Sequence, residues 1–193
     1  MLRSLMTSGV AAAIVAPFAV MGEPVTYVID SSHTFPAFEA DHFAGLSVWR
    51  GKVNYTEGTV TFDREARTGT IDVTMDMATI DFGLDRMNQE ATEKILHVAD
   101  FPHATYVGRL VDFVDDAPTA VEGTLTMHGV SRPVNLVIEH FRCQPHWRTQ
   151  IEVCGAGATA TFDRSEFGLV RDLDLGFRPD VKLLISVEAQ RSE

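Results

Sequence analysis

The chain has 193 residues, is 45% hydrophobic and carries a formal charge of −11. That length suits one domain with a sizeable core. The acidity argues against nucleic acid or an anionic membrane surface as a partner, and the charges are scattered along the chain as on an ordinary solvated surface.

Residues 1–22 read as a signal peptide. Met1-Leu2-Arg3 is a short positive n-region, and Leu5 to Val20 is a small-residue apolar run containing Ala11-Ala12-Ala13 and Pro17. The run is short for a membrane span and ends at Val20-Met21-Gly22, a small-residue cleavage site; a retained anchor is the competing reading. No Cys follows it to take a lipid. Cleavage removes Arg3 and moves the charge from −11 to −12, leaving residues 23–193 as one domain of an exported, periplasmic protein.

Strand signals follow. Tyr27 to Asp30 opens, and Phe38, Ala40 and His42 alternate with Glu39 and Asp41. The segments 48–53 and 58–63 form a hairpin, and Ile71, Val73, Met75 and Met77 alternate with polar Asp72, Thr74 and Asp76. Leu84, Met87, Ala91 and Ile95 then recur at helical spacing, which predicts one helix over 84–97, ended by Phe101-Pro102. Strands resume at 103–113, 121–127, 133–141, 149–162 and 181–189. Pro36 and Pro133 belong at an edge, a strand start or a bulge, and Gly155, Gly157 and Gly168 at bends. Eight or nine strands with one helix predict an antiparallel barrel or sandwich.

The 125–134 stretch is the sharpest single signal. Val121, Gly123, Leu125 and Met127 share one face, and His128-Gly129 occupies the place where a tight hairpin needs positive φ. Cys143 and Cys154 lie in adjacent strands around a 144–147 turn. In an exported chain the pair favours a disulfide, while free thiols and a metal site of Cys143, His146 and Cys154, one ligand short of a closed tetrahedron, stay open.

No Gly-x-Ser-x-Gly elbow, Cys-x-x-Cys pair or glycine-rich phosphate loop appears. Asp72 and Asp76 alternate outward, where solvation is the simpler reading. Arg164 beside Asp163 and Glu166 reads as a surface ion pair, with contact to a pyrophosphate head group as the rival. His33 and His42 are the histidines that could act together, and His42 shares the inner parity of Phe38. A hydrogen-bonded core histidine is the plainer account.

Six segments in order resemble the polyisoprenoid-binding, YceI-like family of exported bacterial proteins, over about residues 26–188. They are Ile29-Asp30 with Ser32-His33, Phe38 and His42; Gly51; Ile80-Asp81; Phe101-Pro102 with Tyr106; Gly123 to Val134; and Arg164-Ser165-Glu166-Phe167-Gly168. The family's Arg-Asp-x-His-Leu run is replaced by Asp85-Arg86-Met87-Asn88-Gln89, and the cysteines resemble a cysteine-bearing branch. The resemblance implies an all-β, eight-stranded antiparallel, lipocalin-like barrel with one helix near its mouth. It also implies a lipid tail in the interior and pairing as a homodimer.

The expected lining is Phe38, His42, Phe62, Val73, Met75, Met77, Leu84, Met87, Tyr106, Leu125, Met127 and Phe162, with Ala40, Ile71, Ala158 and Ala160 of the same parity. No catalytic or metal-binding residue is assigned. No cofactor is expected beyond a bound isoprenoid (polyprenyl or quinone-like) or other long-chain lipid. The rival readings are a metal- or quinone-dependent periplasmic enzyme using barrel histidines, and a protein-interaction module with a filled barrel. The helix reads either as a fixed plug or as a moving lid.

Overall fold

The computed structural model describes residues 23–192, and most of them lie in antiparallel strands. Twelve strand segments make eight staves. β1 (Val25–Ile29) and β2 (Phe35–His42) form the first, interrupted by a turn at 30–34. β3 (Ser47–Val53) and β4 (Thr56–Asp63) form the second, kinked at Asn54-Tyr55. β5 (Thr68–Asp76) and the short β6 (Ile80–Asp81) flank a 3-10 turn at Met77–Thr79 and form the third. β7 (His103–Val114) and β8 (Ala117–Met127) follow singly. β9 (Val130–Pro133) and β10 (Leu136–Pro145) are two parts of one stave, and β11 (Glu152–Asp163) and β12 (Asp180–Arg191) complete the set.

Neighbours in sequence pair with each other, and β12 pairs with both halves of the first stave, Val181 with Ala40 and Ala189 with Ile29. The sheet therefore closes into an up-and-down barrel, the one of the two architectures left open by the strand pattern that the family resemblance implies. Pro36 sits where β2 has not yet met β3, whose pairing begins at Ala37 and Lys52. Pro133 ends β9. Neither missing N–H interrupts a ladder.

The β8–β9 hairpin has Met127 opposite Val130, and the two residues between them, His128 at φ 52° and Gly129 at φ 73°, both lie in the left-handed region. Farther along, β10 bulges between Ile138 and His140. The bulge moves its inward series from Leu136 and Ile138 to Phe141 and Cys143. Cys143 then lies directly opposite Cys154, and the two form a disulfide. With both sulfurs in that bond, the Cys143, His146 and Cys154 metal set has no thiolates to offer.

The helical segment is shorter and less regular than its spacing predicts. α1 covers only Asp85–Glu90, and a π turn continues it over Ala91–Ile95, with Leu96 N–H donating to Ala91 O at 2.8 Å. The Thr92 hydroxyl donates to Asn88 O at 2.9 Å, inside the turn that widens. Leu84 is the residue before the helix, extended at φ −146° and ψ 113°, and 57% exposed. Its spacing to Met87 is thus not helical spacing, and its side chain points to solvent.

Outward faces carry cross-strand polar pairs, among them Glu39 with Arg50, Arg109 with Glu122 and Thr61 with Thr70. A transmembrane barrel would be apolar there. Among the described residues no helix is long and apolar enough to cross a membrane.

Tyr106 shows how tightly the wall is built. Its phenol lies across Gly123, where a Cβ would come within 2.2 Å of the hydroxyl, and it donates to Val134 O at 2.8 Å. Burial pushes that phenol's pKa up. Gly123→Ala must displace the ring, so chemical denaturation should show a loss of about 1–3 kcal/mol.

Candidate ligand-binding cavity

Alternation sends one set of side chains from every stave inward, and they do not fill the barrel. A cavity of about 450 Å³ remains, within the ~300–1,000 Å³ typical of ligand sites. The middle of β11 explains part of the space, because it contributes only Gly155, Ala156 and Ala158 to the wall. Along the second stave the lining runs from Trp49 to Phe62, roughly 30 Å of barrel axis. The space is long and narrow.

One end is sealed. Phe62 packs edge-on to Phe141 at 5.5 Å and stacks with Phe113 at 6.1 Å. The Arg64 guanidinium lies over Phe62 and donates to Glu152 Oε1 at 2.7 Å, and the Tyr27 hydroxyl donates to Glu152 Oε2 at 2.8 Å. Partial burial alone would raise the Glu152 carboxyl. The bonds from Arg64 and Tyr27 outweigh it and hold the group below its ordinary range. Tyr27 and Phe62 are only 2% and 3% exposed, so nothing enters there.

The opposite end is open, since its lining residues His42, Trp49, Phe82, Met87 and Phe177 all reach solvent in part. His42 stacks on Trp49 at 4.6 Å, Phe82 meets both Trp49 and Phe38 edge-on, and Phe177 lies 5.9 Å from His42. Met87, Ala91, Ile95 and Leu96 of the helical segment cover part of this mouth from above. Arg171 Nη2 bonds Glu90 Oε1 at 2.7 Å and ties that segment to the 164–179 connection. Lys94, with help from Arg171, holds the Glu90 carboxyl below its usual value.

Eleven of the twelve residues expected from sequence to line the interior do so, and Leu84 alone does not. His42 lies at the mouth, half-buried, with Nδ1 3.1 Å from Ser47 Oγ, so it is not a core histidine. His33 lies exposed in the turn at 30–34, its Nδ1 2.7 Å from Asp30 Oδ2. The Asp30 bond raises the His33 pKa, while Ser32 and then His33 lower that of Asp30. At opposite ends of β2, on the order of 25 Å apart, His33 and His42 cannot share one reaction. Arg164 makes no ion pair with Asp163 or Glu166. It donates to Leu169 O at 2.6 Å and Arg171 O at 2.8 Å, bracing the connection, and burial lowers its pKa.

Sequence reasoning passes over Trp49, Phe82, Phe177 and the Glu90–Arg171 pair. Trp49 was reachable, because Trp49, Gly51 and Val53 alternate with Val48, Arg50 and Lys52. Phe82 and Phe177 sit in connections without a period, and Glu90 and Arg171 are 81 residues apart.

A family model described as "YceI-like domain" matches residues 27–189. The chain is 26% identical over 178 residues to a UPF0312 protein of Shewanella putrefaciens, covering 90% of this chain and 91% of that one. A UPF0312 protein of Vibrio cholerae is 27% identical over 179 residues, covering 88% and 89%. Among solved structures, a polyisoprenoid-binding domain from Saccharophagus degradans superposes with TM-score 0.60 at 13% identity, covering 87% of this chain and 99% of that one. The YCEI protein of Campylobacter jejuni gives 0.64 at 21% identity, covering 77% and 88%.

On the cavity wall, Thr56 Oγ1 is buried without a hydrogen-bond partner, unlike the hydroxyls of Thr34 and Tyr106. Thr56→Val keeps the shape and removes the orphan. Thermal or denaturant unfolding of the ligand-free protein should show a gain of about 1 kcal/mol.

Proposed function

This chain belongs to the YceI-like family, and from that premise we propose that it is a non-catalytic carrier holding an isoprenoid or similar long lipid tail inside its barrel. The observation that carries the reading is the long apolar cavity, sealed at Phe62 and Tyr27 and open at Trp49 and Phe177. Each buried CH₂ is worth roughly 0.8 kcal/mol, so a tail needs no charged anchor within the wall. A polar head group stays at the mouth, beside His42, Glu90 and Arg171.

The Saccharophagus neighbour, described as a polyisoprenoid-binding domain, supports this ligand class. The Cys143–Cys154 disulfide supports export to an oxidising compartment, the periplasm, with residues 1–22 as the signal peptide; that segment lies outside the described residues. Pairing as a homodimer belongs to the same proposal. The separation of His33 from His42 counts against the enzyme alternative. The space left by Gly155, Ala156 and Ala158 counts against a filled barrel that serves only as an interaction module.

Native mass spectrometry and solvent extraction of the purified protein should reveal a non-covalent lipid, or one-to-one uptake of an added polyprenyl or quinone tail. Ala158→Leu, which fills part of the space that β11 leaves, should cut that uptake at least about tenfold while leaving the circular dichroism spectrum intact. A protein that is lipid-free as purified and takes up neither tail would sink the proposal.

A further inference from the structure

Apolar side chains that no other described residue covers flank the mouth. Phe43 and Leu46, on the turn between β2 and β3, are 64% and 79% exposed. Val170 and Leu175, on the 164–179 connection, are 58% and 68% exposed, and Leu84 stands at the head of α1. The turn is a built feature. Phe43, Ala44 and Gly45 hold φ of 58°, 54° and 90°, left-handed backbone that Phe and Ala adopt only under constraint. Asp41 Oδ2 accepts from Arg178 N–H at 3.0 Å, which fastens the turn to the connection.

This rim is continuous with the cavity. The Phe43 ring lies 5.8 Å from Phe177 and 5.3 Å from His42, both of which line the mouth. Arg171 bonds both Glu90 and Asp172, and the Arg178 guanidinium lies against Gly45 of the turn.

We propose that this rim docks on a zwitterionic lipid bilayer, with Phe43, Leu46 and Leu175 entering the interface so that a tail passes from membrane to cavity without crossing water. The inference rests on the carrier reading, because a lipid tail resides in a bilayer and the rim encircles the opening through which it must enter. Charge selects the kind of surface. With a formal charge of −11, or −12 without residues 1–22, the chain is repelled by anionic lipid, and apolar burial is the main attraction the rim offers. A second copy seated mouth to mouth would cap the opening that the cargo needs.

Flotation of the protein, purified from an exporting host, with phosphatidylcholine–phosphatidylethanolamine vesicles tests the surface. Leu46→Ser combined with Leu175→Ser should lower the floated fraction by about tenfold or more. Trp147→Ser should leave it unchanged, because Trp147 is 75% exposed on the β10–β11 turn at the sealed end. Phosphatidylglycerol should weaken flotation of the wild-type protein. The double variant should also slow uptake of a polyprenyl tail from vesicles while leaving uptake from detergent unchanged. Absence of wild-type flotation, or equal flotation of wild type and double variant, overturns the docking surface. So does a double variant that merely turns a dimer into a monomer in sedimentation velocity, which would make the rim an interface between copies. Native mass spectrometry of the same samples separates the two claims: flotation without any bound tail fails the carrier and leaves the surface standing, and a bound tail without flotation does the reverse.

Discussion

The backbone ladder between β12 and the first stave closes the sheet on itself, with Val181 against Ala40 towards the mouth and Ala189 against Ile29 towards the base. Closure turns one face of every strand into an interior that solvent reaches only through the ends. The dry faces of β5, β8 and β11 then need no second sheet to cover them. Whether a closed eight-staved interior is filled or hollow depends on side-chain volume. Here the small residues of β11 help to leave it hollow.

The two ends are built by different means. At the base, aromatic packing around Phe62 is held by a short polar cluster in which Arg64 and Tyr27 each donate to one oxygen of Glu152. At the mouth, aromatic rings from β2, β3 and two connections meet without closing, and the helical segment is tied across them by Glu90 and Arg171. The asymmetry gives the cavity a direction, with one end for access and the other for termination.

Much of this was legible in the sequence where strands alternate. Phe38, Val73, Met75, Leu125 and Met127 lie on the wall because period two leaves a strand residue only two choices of face. The hairpin at His128-Gly129 was legible because the turn demands positive φ. Leu84 misled, since a residue just before a helix mimics the spacing of one inside it without sharing its geometry. The π turn at Ala91–Ile95 could not be foreseen, because it depends on how Leu96 and Ala91 pack on the barrel. Phe82, Phe177 and the Glu90–Arg171 pair were hidden for a related reason: irregular connections bring together residues that no local period relates.

The bulge in β10 gives the Cys143–Cys154 bond a consequence beyond the stability of a closed loop. A one-residue extra in a strand allows two alignments of β10 against β11 that differ by a single step, and the wrong one would turn every inward side chain beyond it outward. In such a slipped alignment Cys154 would face Arg142 or Gln144 in place of Cys143. The disulfide is compatible only with the alignment in which Cys143 lies opposite Cys154. The bulge and the disulfide thus specify one and the same alignment of the hairpin, the one that keeps Phe141 facing the interior.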